Sequence, residues 1–395
     1  MILTSGLLGM SAGSVATPPP LSARADSDTD WLFAPHMYGN PFQQILAEGL
    51  GARGIAARGV RDIEGCLDLV KRSTKPNRVV HLHWLNVVLA GAKTASEEQR
   101  RIAKFQRFLE DVKSAGAKLA WTVHNVLPHE GYSEESALAV RNLICDYADL
   151  IHVMSPDTEA ACAPYFTLPA AKLVRLEHPG YHGFYPAVAE GLDLRAKWGL
   201  PAGGRLVVIL GGIKPYKGLN EFTEAFAAAT AADHRALALL IAGKPSEPIV
   251  GSALGRTVEL SPNLHVLAET VADSQVSELM TMADAVAIPY QASLNSGSMV
   301  LALTYGKPVI ARSSAGSTHL LQGGAGRVYE EETQLVSELA DLSWLPAAGE
   351  RARELSGRLD RQRLTTRFAE LARSFVDSGV PAARAAAGRN GGLDD

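Results

Sequence analysis

Cysteine is scarce in this sequence, and what there is forms no pattern. Cys66, Cys145 and Cys162 are odd in number, far apart and without CxxC spacing. That excludes a disulfide framework and a structural zinc site, and points to a reducing cytoplasm. Charge of one sign is lacking too. The 38 Lys and Arg face 42 Asp and Glu, for a formal net charge of −4, so no global basic field recommends nucleic acid as a partner. No apolar run reaches the roughly 18 residues from which a membrane-spanning helix is read. Neither the GxGxxG dinucleotide fingerprint nor the GxxxxGK[ST] phosphate loop occurs, which argues against a nicotinamide dehydrogenase and a nucleotide hydrolase.

What is present is ordinary globular composition: 395 residues, 47% hydrophobic and 20% charged, with mean hydropathy near zero. The chain is too long for a single typical core, so two domains are expected. Residues 1–29 stand apart, with a proline run and few aromatics. Ser14-Val15-Ala16 resembles a small-residue cleavage site, but no Lys or Arg precedes the mildly apolar start. The segment is therefore read as a disordered leader in preference to a signal peptide. "DSDTD" at 26–30 has the DxD form of a metal-binding motif, but it precedes the first expected strand, the wrong end of an open α/β sheet for ligands, and is read as linker.

From Trp31 onward β-rich runs alternate with helical stretches. "WLFAP" (31–35), "RVVHLHW" (78–84), "KLAWTVH" (118–124), "LIHVMS" (150–155) and "KLVRLEH" (172–178) predict strands. Between them lie segments such as "EEQRRIAKFQRFLEDVKSAG", where Ile102, Phe105, Phe108, Leu109 and Val112 share one helical face. Apolar strands separated by amphipathic helices describe a parallel sheet covered on both sides. A Pro/Gly-rich stretch at 177–191 interrupts the pattern. It restarts with "RLVVILGG" (205–212), "ALALLIAG" (236–243), "NLHVLA" (263–268), "DAVAIPY" (284–290), "KPVIAR" (307–312) and "GRVYE" (326–330). The expected fold is α/β, with two Rossmann-like domains whose parallel sheets face a central cleft. The expected domains are 30–186 and 187–350, followed by a helix over 351–378 that crosses back to the first domain and a disordered tail at 379–395.

Ligands of open α/β sheets bind beyond the carboxyl ends of the strands. There the first domain places His83, Trp84 and Asn86 after one strand, and "HNVLPHEG", with His124, Asn125, His129 and Glu130, after the next. One such histidine would as readily cap a strand; two in neighbouring loops favour a site. The second domain opens with "LGGIKPYKG", in which Gly211 and Gly212 admit a ligand to the backbone and Lys214 and Lys217 supply compact positive charge. Farther on, Asn295, Ser296, Gly297 and Ser298 precede a helical run, where exposed amides favour an anion. The two loops follow strands of one sheet and can converge on a diphosphate, most simply the leaving group of a nucleotide-sugar. No His/Asp/Glu cluster with metal spacing accompanies them, so neither a metal nor any other cofactor is expected to be required.

These motifs resemble a known family. "GGIKPYKG", "AVAIPY" and "NSGSMVLALTYGKPVIA" look like those of a GT-B glycosyltransferase, and together with "HLHWLN" and "WTVHNVLPHE" they are similar to bacterial GDP-mannose:glycolipid β-1,4-mannosyltransferases of exopolysaccharide assembly. The resemblance runs from about Trp31 to about Glu330. It implies an inverting transfer of mannose from GDP-mannose to a saccharide acceptor linked to a polyprenyl diphosphate, at the inner face of the plasma membrane, with peripheral membrane contact. Retaining relatives usually carry an Arg five residues before the loop lysine and two Glu around the second loop. Here those positions hold Gly212, Ser293 and Leu301, which favours inversion. Within the resemblance Glu130 is the leading candidate for general base and His129 the next, His124 contacts the donor, and His83 and Asn125 lie on the acceptor side. Lys214, Lys217 and the amides near Ser296–Ser298 hold the diphosphate. A retaining transferase using a UDP-sugar and a nucleotide-sugar 2-epimerase are the competing enzymes, and a nucleotide-sensing module is the non-enzymatic alternative. Arg100, Arg101, Lys104 and Arg107 could touch anionic lipid, but Glu97, Glu98, Glu110 and Asp111 nearly offset them, so a solvated helix face is preferred.

Overall fold

The computed structural model describes residues 27–128, 131–291 and 293–378. The chain divides into two compact units, one made of residues 27–179 with 361–378, the other of Gly180–Asp360.

The first unit is built on six parallel strands: β1 (Thr29–Ala34), β2 (Ala56–Gly59), β3 (Asn77–Leu82), β4 (Lys118–Thr122), β5 (Leu150–Val153) and β6 (Leu173–Arg175), in the order β2-β1-β3-β4-β5-β6. The order reverses between β1 and β3, a topological switch point where a ligand crevice is expected. The second unit has β7 (Arg205–Leu210), β8 (Leu237–Ala242), β9 (Leu264–Leu267), β10 (Ala285–Ile288), β11 (Val309–Arg312) and β12 (Gly326–Tyr329), ordered β12-β11-β10-β7-β8-β9. Read from the other edge this is the doubly wound Rossmann order, with its switch point between β7 and β10.

The sheet positions follow from burial on both faces. Val207, Ile209, Leu239 and Ile241 pack with Phe222 and Phe226 in one core, and Trp31, Phe33, Phe42 and Leu46 pack with Phe368 and Phe375 in the other. The helix Ala95–Ser114 buries Ile102, Phe105, Phe108, Leu109 and Val112, the face its periodicity marks. Two helices occupy the C-terminal part, Leu345–Arg358 and Arg361–Ser378. The latter lies against the helix Pro41–Ala52. There Gly49 permits the approach, since a Cβ on it would stand 2.6 Å from that of Thr365.

Strand β2 has no counterpart in the sequence reading. Its four residues, AARG, lack the β-branched and aromatic side chains that mark strands. It is an edge strand, held by parallel pairing to β1 and by the Ala56 amide donating to the Ser27 hydroxyl at 3.0 Å. The linker reading of "DSDTD" is also corrected. Thr29 and Asp30 are strand residues, and the buried Asp30 carboxylate accepts from Ser73 at 2.5 Å and pairs with Arg58 at 3.4 Å. Asp28 pairs with Arg373 at 3.1 Å. These carboxylates tie down the strand.

Candidate active site

Beyond β3 the chain continues into His83 and Trp84, and beyond β4 into Val123, His124 and Asn125. Because β3 and β4 are paired, the two strand ends lie side by side. His83 Nδ1 is 2.9 Å from His124 Nε2, and the Trp84 indole stacks on the His124 ring at 4.3 Å between centroids. Trp84, Asn86, Trp121, His124, Asn125 and Arg141 line an open pocket at this edge. Burial, with smaller contributions from neighbouring histidines, holds His83 and His124 well below the usual imidazole range, so both are neutral at physiological pH. Buried His83 Nε2 has no hydrogen-bond partner among the described residues.

Deeper in the same unit a second set of histidines has a different task. Trp31 Nε1 donates to His81 Nδ1 at 3.2 Å, which leaves the His81 proton on Nε2, 2.7 Å from the Thr122 hydroxyl. That hydroxyl in turn donates to His152 Nδ1 at 3.1 Å, and His152 Nε2 donates to the Leu176 carbonyl at 2.8 Å. Every donor in this buried chain points one way, and the tautomers of both histidines are thereby fixed. His81 and His152 are joined through the Thr122 hydroxyl, and both ring nitrogens of each are satisfied inside the sheet.

Arg141, on the helix Glu134–Tyr147, was not singled out by sequence. It is 5% exposed. Its Nε donates to the Val126 carbonyl, and its Nη1 to the Ala137 carbonyl at 3.1 Å. No carboxylate lies within ion-pairing distance among the described residues, and burial pulls its pKa down to about 10. It clamps the loop that begins at His124. His129 and Glu130 of that loop lie outside the described residues.

In the second unit the polar groups gather at the switch point. Gly211 follows β7 with φ of 124°, and Gly218, with φ of 64°, caps the helix Leu219–Ala229. A Cβ on Gly211 would lie 3.2 Å from Lys217 Nζ, 3.7 Å from Tyr290 Oη and 3.9 Å from Ser298 Oγ. Lys217 donates to the Tyr290 hydroxyl at 3.2 Å, the phenol to the Ser298 hydroxyl at 3.5 Å, and Ser298 to the Leu210 carbonyl at 3.3 Å. Three polar atoms from three segments thus surround the space that a glycine leaves open.

Ser296 caps the helix Gly297–Thr304, its hydroxyl accepting from the Met299 amide at 3.2 Å. Gly297 and Ser298, expected ahead of the helical run, are the first two residues of that helix, because the cap at Ser296 places the helix start two residues earlier. Asn295 precedes the cap. Lys214 stands apart from the cluster, exposed and 5.9 Å from the centre of the Tyr216 ring. Gly212 follows Gly211 without joining the polar chain. Leu301 is buried in the helix. Among the described residues no group of three His, Cys, Asp or Glu side chains is placed to share a metal ion, and no helix is long and apolar enough to cross a membrane.

Two six-stranded parallel α/β units of this kind, the second with a polar cradle at its switch point, make the GT-B fold of glycosyltransferases. Residues 192–353 match the family described as "Glycosyl transferases group 1", and the chain carries a domain of that family. Among curated proteins, a GDP-mannose:glycolipid 4-beta-D-mannosyltransferase of Xanthomonas campestris pv. campestris is 26% identical over 275 residues, covering 67% of this chain and 70% of that protein. Among solved structures, Anabaena HepE in complex with UDP and glucose superposes with a TM-score of 0.62 at 18% identity, covering 88% of this chain and 99% of that one. Sucrose-phosphate synthase from Thermosynechococcus elongatus gives 0.67 at 16% identity, covering 88% and 98%. These structures share the fold.

Proposed function

We propose that the protein transfers mannose from GDP-mannose, with inversion, to a saccharide acceptor carried on a lipid, the second unit holding the donor and the first the acceptor. The observation that carries this reading is the convergence of Lys217, Tyr290 and Ser298 on Gly211. The cluster brings one lysine and two hydroxyls to the switch point of a Rossmann sheet, a set suited to a diphosphate. The mannose and the GDP are supported by the likeness to the Xanthomonas enzyme. Inversion is supported by Gly212, Ser293 and Leu301 in place of the charged residues of retaining relatives.

An inverting transfer is one in-line displacement. The acceptor oxygen bonds to the anomeric carbon as the bond from that carbon to the phosphate oxygen breaks, and the electron pair leaves with GDP. Lys217 and the first-turn amides of the helix Gly297–Thr304 oppose the charge that grows on the departing diphosphate. The acceptor's proton passes to a base, for which Glu130 is proposed and His129 is the alternative. His124, neutral and fixed between His83 and Trp84, is proposed to contact the donor. An acceptor on a polyprenyl diphosphate would bring the enzyme to the inner face of the plasma membrane as a peripheral protein.

Calorimetric titration of the purified chain with GDP-mannose, UDP-glucose, UDP-N-acetylglucosamine and UDP-glucuronate tests the donor. GDP-mannose should bind at least about ten times more tightly than the UDP-sugars, a gap of about 1.4 kcal/mol. Preference for a UDP-sugar would overturn the assignment.

A further inference from the structure

Tyr290 follows β10, and in the sequence it reads only as the close of a strand. Its hydroxyl stands between the cation of the cradle and the helix that starts at Gly297. We propose that this hydroxyl is a leaving-group contact, donating to a non-bridging oxygen of the departing phosphate of a nucleoside diphosphate. The inference rests on the donor-site reading of the second unit.

Three features of the cradle point there. First, Lys217 Nζ has no carboxylate within ion-pairing distance among the described residues. It is held instead by a neutral phenol, at 3.2 Å from the oxygen and 4.6 Å from the ring centre. A carboxylate at this position would neutralise the lysine and repel a phosphate, whereas a phenol keeps the charge available and adds a donor of its own. Second, the bonds linking Lys217, Tyr290, Ser298 and Leu210 are 3.2, 3.5 and 3.3 Å long. Bonds donated by a hydroxyl prefer about 2.7–2.8 Å, and charge-assisted ones to an oxyanion are shorter still. The Tyr290 proton is therefore weakly engaged with Ser298, and a phosphate oxygen is the better acceptor. Third, the phenol is anchored through its neighbour. A Cβ on Gly218 would stand 2.4 Å from the Pro289 carbonyl, so the backbone next to Tyr290 is packed against the loop that carries Lys217.

In the transfer step Tyr290 keeps its proton. The carbon–oxygen bond to the phosphate breaks, the phosphate oxygen takes the pair, and the hydroxyl donates to the anion as its charge grows. A contact that strengthens with that charge accelerates the step as well as binding the product.

Tyr290→Phe retains the ring beneath Lys217 and removes only the oxygen. Calorimetry with GDP, UDP and GMP, on the full chain, should show the affinity for the diphosphate that the parent binds reduced about tenfold in the variant. GMP affinity and thermal midpoint should match the parent, and turnover should fall by at least the same factor. Combined with Lys217→Ala, the loss should be smaller than the product of the two single losses, because both act on one phosphate. Parent-like diphosphate affinity in Tyr290→Phe overturns the proposal. So does an equal loss for GMP with a lowered midpoint, which would mark Tyr290 as a structural prop. If the parent binds neither GDP nor UDP, the donor-site reading fails, and the proposal with it.

Discussion

Lys217 and Glu130 have separate proposed tasks, and each task has its own measurable signature. Lys217→Ala removes a charge-assisted phosphate contact worth about 1.5–3 kcal/mol, so affinity for the nucleoside diphosphate should drop by roughly one to two decades. Glu130→Gln keeps shape and removes basicity. It should cost about two to four decades in turnover while leaving donor affinity nearly unchanged. Titration and steady-state rates on the two variants check the pair; equal affinity in Lys217→Ala, or near-parent turnover in Glu130→Gln, contradicts the corresponding role. Strand-end residues such as His83, His124 and Lys217 are legible in the sequence because a β-rich run followed by a polar loop fixes where they fall. Tyr290 and Arg141 are not. The first reads as the aromatic end of a strand and the second as one more polar residue without a motif. Only the tertiary approach of other segments gives the phenol its lysine and buries the guanidinium.

At the scale of elements, the helix Gly297–Thr304 depends on its cap. Ser296→Ala removes the hydroxyl that accepts from the Met299 amide, a loss of about 0.5–2 kcal/mol. It should lower the thermal midpoint of the transition that reports the second unit by several degrees and weaken diphosphate binding as the helix start frays. An unchanged midpoint would show that packing alone holds the helix. The buried histidines set a different dependence in the first unit. Burial lowers His152 and His178 to about 4, and His81 and His83 well below their usual range. Between the unfolded value near 6.5 and the folded values, the unfolded chain binds more protons than the folded one, so stability falls as pH falls through that window. Amide hydrogen exchange, corrected for intrinsic rates, should show β3, β4 and β5 losing protection from pH 6.5 to 4. Constant protection there would contradict the neutral, one-way chain through His81, Thr122 and His152. Most strands were legible from their Val, Ile and Leu runs. Strand β2 was not, because an edge strand of AARG is specified by its pairing with β1 and by Ser27 rather than by its own side chains.

For the whole molecule, the alternation of β-rich runs and amphipathic helices carries the fold class, since two parallel sheets bury both faces and each strand records it. The reaction is written less plainly, because donor and acceptor are chosen by side-chain geometry at strand ends. The proposed reaction is an inverting, GDP-mannose-dependent transfer. The most direct measurement is a time course by nuclear magnetic resonance of the purified chain with GDP-mannose, with and without a saccharide acceptor, following the anomeric signals. The predicted result is release of GDP only when acceptor is present, with the first-formed product a β-mannoside. An α-linked first product would make the enzyme retaining, and consumption of GDP-mannose without acceptor would make it an epimerase or a hydrolase; either contradicts the account.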